Sequence, residues 1–116
     1  MNILERTDEE LFDIAKPWWD KLIKYSNNKN YLMFIENFSR SLREGANEME
    51  LGKQFARSEL AHNLSKEYEM LGTIRRGEHV TVVIKQKHKK IEGEWLGRMV
   101  LGTEDGHVRI FSVSLF

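Results

Sequence analysis

Apolar residues in this chain keep two different spacings, about three to four positions apart up to residue 64 and every second position from residue 66 on. That change predicts an α+β domain: about three N-terminal helices packed on the concave face of a four-stranded antiparallel meander sheet. Residues 1–116 are expected to form one unit, with helices over about 7–64 and the sheet over about 66–116.

The first helix is expected at Thr7-Asp8-Glu9-Glu10, where a hydroxyl meets the free amides and a glutamate three residues on reaches back, a capping box. Leu11, Ala15, Trp18, Leu22 and Tyr25 then recur at helical spacing, widened by Phe12, Trp19 and Ile23. Pro17 predicts a kink or two abutting helices, because it removes one donor and crowds the preceding turn. Asn27-Asn28-Lys29-Asn30 ends the pattern. A second helix is read through Tyr31, Phe34, Ile35, Phe38 and Leu42 to a C-cap at Gly45. A third follows Asn47-Glu48-Met49-Glu50 and buries Leu51, Phe55, Ala56 and Leu60.

In the second half, side-chain alternation lets the register be tested against the turns. Three-residue loops at Arg75-Arg76-Gly77 and Glu104-Asp105-Gly106, with a two-residue turn at Glu92-Gly93, bring all strands into one phase. The inner face then holds Tyr68, Met70, Gly72 and Ile74, the row Val80 to His88, and Trp95, Gly97, Met99, Leu101, Phe111, Val113 and Leu115. The expected pairs include Met70 with Val82, Ile84 with Leu101, His88 with Gly97, and Gly97 with Val113.

Two surfaces follow from that phase. Inside, the apolar row Val80, Val82, Ile84 runs on into Gln86 and His88, opposite a glycine that fills no volume. A polar-lined hollow is expected there, with Trp18, Trp19, Tyr31, Gln86, His88 and Trp95 as ligand-binding residues. Outside, Leu71, Val83, Leu96, Val100, Val108 and Ile110 form an apolar set that helices on one face leave bare. Burying each such side chain is worth roughly 1.5 to 3 kcal/mol, enough for six to offset an association cost of about 4 to 15 kcal/mol. These six are the expected homodimer interface.

Composition narrows the classes. The 116 residues are 41% hydrophobic with one proline, as in a packed globule. Eighteen basic residues balance eighteen acidic ones, so no global field draws nucleic acid or an anionic membrane. Without cysteine there are no disulfides or thiolate metal sites. His62, His79, His88 and His107 lack metal-ligand spacing, no phosphate loop or nucleophile elbow occurs, and no cofactor or metal is expected. Met1-Asn2-Ile3-Leu4-Glu5-Arg6 has neither a basic start nor a long apolar run, which makes the cytoplasm the expected compartment. The run Lys85-Gln86-Lys87-His88-Lys89-Lys90 reads as a solvated strand end, with Lys85, Lys87 and Lys89 on the outer side and no aromatic row to stack bases.

Trp18-Trp19, Tyr31 through Phe38, the Met70-Leu71-Gly72 strand, and Val100-Leu101-Gly102-Thr103-Glu104-Asp105-Gly106 together give the chain a plan that resembles the cone of the nuclear transport factor 2-like superfamily, in its broad cystatin-like sense. The chain departs from the usual plan in showing no strand between the second and third helices. The resemblance implies one of two kinds of relative. Some members perform acid-base chemistry in the cone, as ketosteroid isomerases, polyketide cyclases and scytalone-type dehydratases do. Here that would use His88 as base, Tyr31 or Tyr68 as donor and Asp13 or Asp20 to orient. Others bind a ligand, a partner protein or only themselves. No acid stands on the inner face of any strand, which favours the second kind. The expected function is a non-catalytic module that binds a small apolar molecule or a partner and homodimerises through its sheet. A small acid-base enzyme, or a subunit that binds a different chain through the outer face, are the alternatives.

Overall fold

The structure, a computed structural model, describes residues 2–45 and 62–116. A 3-10 turn at Ile3–Glu5 leads into α1 (Asp8–Asn27), α2 (Tyr31–Phe34) and α3 (Arg40–Gly45), followed by β1 (Leu64–Arg76), β2 (His79–His88), β3 (Trp95–Glu104) and β4 (His107–Leu115). The strands form one antiparallel meander in the order β1-β2-β3-β4, with the helices packed on one of its faces, an α+β fold. The expected third helix and its capping box lie outside the described residues.

The capping box at the start of α1 is formed on both sides. The Thr7 hydroxyl accepts from the Glu10 amide at 3.2 Å, and the Glu10 carboxylate accepts from the Thr7 amide at 3.1 Å. Pro17 lies inside a single helix of 20 residues and does not divide it into two. A proline there costs about 3 kcal/mol. Leu11 on one side of it and Trp19, Leu22 and Ile23 on the other are all buried against the sheet, and at roughly 1.5 to 3 kcal/mol each they outweigh that cost. The buried stripe passes through Trp19, while Trp18 packs half-buried beside it.

The helix expected from Tyr31 to Gly45 is broken in two. Between the halves, Phe38 forms a parallel bridge with Ile110, as the Ser39 amide donates to the Ile110 carbonyl and the Ile110 amide to the Asn37 carbonyl, both at 2.8 Å. Two backbone bonds to the edge of β4 replace helical ones, and Phe38 enters the core from an extended backbone. Ser39 then caps α3, its hydroxyl accepting from the Leu42 amide at 3.2 Å.

Both outer hairpins reach the expected phase by a different route. Their loops have two residues: Gly77-Glu78, with positive φ at the glycine, and Asp105-Gly106, with positive φ at both positions, as hairpin turns of the primed types require. A two-residue turn alone would invert the faces. One extra residue in each outer strand, Leu71 in β1 and Phe111 in β4, restores them. Residues between turn and bulge are therefore on the face opposite to the expected one. Thr73 and Arg75 turn inward and Ile74 outward, while Val108 and Ile110 turn inward, Ile110 to near-complete burial. Beyond the bulges Met70 pairs with Ile84, Tyr68 with Gln86, Met99 with Val113 and Gly97 with Leu115. The middle connection spans residues 89–94 and sets Ile84 opposite Gly97 and Gln86 opposite Trp95, so the inner face is kept but His88 lies beyond the last pair.

The inward turn of Thr73 and Arg75 ties β1 to the chain's N-terminal segment. Arg75 donates to the carbonyls of Leu4 at 3.2 Å and Arg6 at 2.6 Å, and Thr73 donates to the Asp8 carboxylate at 2.5 Å. The Thr73 hydroxyl first, and the Arg75 guanidinium beside it, hold the Asp8 carboxyl below its ordinary value of 3.8. A depressed folded-state value means that this contribution is complete above the unfolded-state value and disappears as pH falls through the folded-state one. Glu10 and Asp105 are lowered as well, by Thr7 and by Arg40. Stability should accordingly be flat near neutrality and drop on the acid side. In urea melts at a series of pH values, Asp8→Asn should flatten that drop.

Candidate functional site

The six residues expected to line a hollow are placed on α1, α2 and the end of the sheet farthest from the two hairpin turns. Gln86 is completely buried, and its side chain is saturated. Its Oε1 accepts from the Trp19 indole Nε1 at 2.8 Å, and its Nε2 donates to the carbonyls of Ser65 and Lys87 at 2.7 Å each. Trp19 is also buried, and its ring occupies the space over Gly97. A Cβ built on Gly97 would stand 2.8 Å from the indole Cη2 and 2.9 Å from Cζ2. The glycine leaves a hollow, as its sequence position suggests, and Trp19 fills it.

His88 has both ring nitrogens engaged by backbone. Nε2 lies 2.6 Å from the His62 carbonyl, which can only accept, so this nitrogen carries the proton. Nδ1 accepts from the amides of Lys90 and Ile91, each at 3.0 Å. The neutral imidazole thus braces the first residues of the β2–β3 connection. Trp95 pairs with Gln86 across the strands, and its ring lies 6.0 Å from that of His88. Trp18 and Tyr31 are half-buried. The structure therefore joins Trp19 with Gln86, and His88 with Trp95.

Tyr68 is aimed at α1, where its hydroxyl donates to Asp20 at 2.5 Å. Burial, and then the Asp20 carboxylate, push the phenol above its usual range, so it stays protonated far past neutral pH. The pair holds β1 against α1 as a hydrogen-bonded strut.

The opposite face of the sheet is open. Leu71, Ile74, Leu96 and Phe116 are 53%, 57%, 43% and 60% exposed, and Val83 and Val100 are partly exposed among them. Cross-strand rows run Ile74-Thr81-Val100-Ser112 and Gly72-Val83-Arg98-Ser114, with Lys85 beside Leu96 and Phe116 paired to Leu96 through both backbone bonds. The Arg98 guanidinium lies 4.5 Å from the centre of the Phe116 ring. Of the six residues expected here, Leu71, Val83, Leu96 and Val100 are on this face, while Val108 and Ile110 belong to the inner one. Ile74 and Phe116 take part in the apolar set and were hidden from the pattern by the β1 bulge and by the chain's last position.

Open grooves lie at the margins of the helix-sheet contact. One of about 650 Å³ is lined by Asp20, Ile23, Lys24, Asn27, Asn28, Lys66 and Lys89. Another of about 490 Å³, between α1 and β1, is lined by Glu9, Phe12, Asp13, Lys16, Tyr68, Glu69 and Met70. None of the six candidate ligand residues lines either groove. Among the described residues no helix is long and apolar enough to cross a membrane.

No family model, curated protein or solved structure matches this chain. What it does must be argued from its own surfaces.

The tight fit of Trp19 on Gly97 generates a test. Gly97→Ala pushes a methyl into the indole, and overpacking of this kind costs about 1 to 3 kcal/mol. Gln86→Leu keeps the bulk but strands the Trp19 N–H and two carbonyls, each worth about 1 to 3 kcal/mol when buried and unpaired. Urea unfolding should show both variants destabilised, with Gln86→Leu the worse of the two.

Proposed function

We propose that this chain is a non-catalytic interaction module that homodimerises through the outer face of its sheet. The observation that carries the reading is the division between the two faces. The inner one is closed by Trp19 and Gln86, whereas the outer one exposes Leu71, Ile74, Leu96 and Phe116, with Val83 and Val100 partly exposed among them. Strands of nine to thirteen residues, at about 3.3 Å per residue and about 4.8 Å between strands, make a face roughly 30 Å by 19 Å before side chains are added. A standard interface takes about 800 Å² from each partner, so one such face is of the right size for one.

A self-complementary arrangement of charges supports a second copy as the partner. At the end of the outer face nearest the hairpin turns stand Arg76 and Arg109, with Asp105 close to Arg109, and at the other end Glu69 and Glu94 share Lys85, at 3.3 and 3.1 Å, with Lys87 next along the strand. A two-fold axis lying in the interface and perpendicular to the strands would bring Arg76 and Arg109 of one copy toward Glu69 and Glu94 of the other, twice. Arg98, stacked on Phe116, reaches solvent between them. This reading agrees with the resemblance to nuclear transport factor 2-like proteins that bind a partner or only themselves.

Sedimentation at tens of micromolar should give twice the 13.7 kDa of one chain. The double variant Ile74→Glu, Leu96→Glu alters two exposed positions and should leave thermal stability of the monomer intact. It places unpaired charges in both halves of the interface and should weaken association at least about 100-fold. A wild-type chain that stays monomeric at high micromolar concentration would remove this function, and retention of a different chain by the same face would reassign it.

A further inference from the structure

We propose that the groove between the C-terminal half of α1 and the loop end of β1 and β2 is an anion site, built for a compact molecule carrying at least two phosphates. Its volume of about 650 Å³ falls within the range of roughly 300 to 1,000 Å³ typical of small-molecule sites. Three lysines reach it from three elements: Lys24 from α1, Lys66 from β1 and Lys89 from the start of the β2–β3 connection. Among the described residues none of the three forms an ion pair. Lys85, only four positions before Lys89, contacts two carboxylates.

Two ordinary explanations for such lysines are met by other groups. Cations near a helix C-terminus often neutralise its free carbonyls, but here backbone amides already serve that purpose. Asn28 donates to the Lys24 carbonyl at 3.0 Å, Lys29 to Ser26 at 3.2 Å and Asn30 to Tyr25 at 2.9 Å. The groove's own carboxylate, Asp20, accepts the Tyr68 hydroxyl. Lys24 also lies 5.4 Å from the centre of the Tyr25 ring, but an aromatic face carries no net charge, so among the described residues the groove keeps three ammonium groups against one engaged carboxylate, an excess that suits a ligand of opposite sign.

The backbones that carry these lysines are held in place by the buried polar groups. Between the pairs Leu64–His88 and Tyr68–Gln86 the register slips, which leaves Ser65, Lys66 and Glu67 opposite Lys87. Gln86 fixes that irregular stretch through the Ser65 and Lys87 carbonyls. The Asn27 side chain grips Leu64 at both its amide, 2.8 Å, and its carbonyl, 2.9 Å. The Lys89 amide donates to the Asn63 carbonyl at 2.8 Å, and His88 caps the two amides that follow. A site whose stems are rigid spends little on ordering when it binds. Lysine meets phosphate as a point charge, and among the described residues no aromatic ring lines the groove to stack a base, so the phosphates themselves are what is recognised.

The test is calorimetric titration of the full chain with inorganic pyrophosphate at low salt. The wild type should bind one equivalent saturably, and added chloride should weaken the binding. Lys66→Gln with Lys89→Gln, both at exposed positions, should reduce affinity at least about tenfold, with an unchanged thermal melt as the control for folding. Lys85→Gln removes a cation that is already paired and should leave affinity unaltered. Failure of the wild type to saturate at millimolar pyrophosphate overturns the site. So does an equal loss in the Lys85→Gln variant, which would mean diffuse attraction only. Neither outcome bears on self-association, since the groove and the outer sheet face are on opposite sides of the sheet.

Discussion

The hydrogen bond from the Trp19 indole to Gln86, made over the bare backbone of Gly97, is the constraint on which the rest of the domain depends. Each partner is unaffordable alone. A buried indole needs an acceptor for its N–H, and a fully buried amide needs all its groups met. Together they let α1 approach the sheet closely enough to seal the inner layer. Glycine at position 97 is the third requirement, because any side chain there would stand where the indole ring lies. One contact therefore settles the helix's distance from the sheet and closes the inner face. It also holds the irregular start of β1, through the two carbonyls that Gln86 grips on its other side.

Much of this was legible in the chain, and the errors have a common physical source. Alternation fixes which residues can share a face, so the antiparallel order and the inward row Val80, Val82, Ile84 could be read directly. What alternation does not distinguish is a three-residue loop from a two-residue loop followed by a bulge, since the two give the same phase further along. Thr73, Arg75, Ile74, Val108 and Ile110 all lie in the short stretches where those two solutions differ. Phe38 was misread for a related reason. Its spacing from Phe34 and Leu42 suits a helix, but Asn37 and Ser39 flank it, and Ser39 is a capping residue that starts α3 anew. Two adjacent tryptophans presented a similar ambiguity at α1. A shift of one residue rotates a helix by about 100°, and only the position of Gly97 across the interface decides for Trp19.

The candidate site was harder to read than the fold, because polarity within a strand has two opposite meanings. Gln86 and His88 on an apolar face suggest a pocket open to a ligand. In the folded chain the same groups satisfy internal carbonyls and amides, and their conversation is with the backbone. No single-residue signal separates these cases. The discriminating fact is the number of backbone partners within reach, which depends on a slipped register and on a loop of six residues. Lys24, Lys66 and Lys89 were invisible as a group for the complementary reason: 65 positions separate the first from the last, and Lys89 taken as part of a strand would project to the outer side.

The network that closes the inner face over Gly97 also stiffens the margins of the domain. The sheet is backed by α1 over β1 and β2 and by α3 beside β4, so its outer face presents a firm surface and not a yielding one. At the far end, Gln86, Asn27 and His88 turn their hydrogen bonds toward the loops, and those loops carry charges that nothing inside the described chain neutralises. The buried polar residues thus act at one remove. Without them the lysine stems would lose their anchorage and the outer strands their backing, which is why polar groups can be worth their desolvation in so small a core.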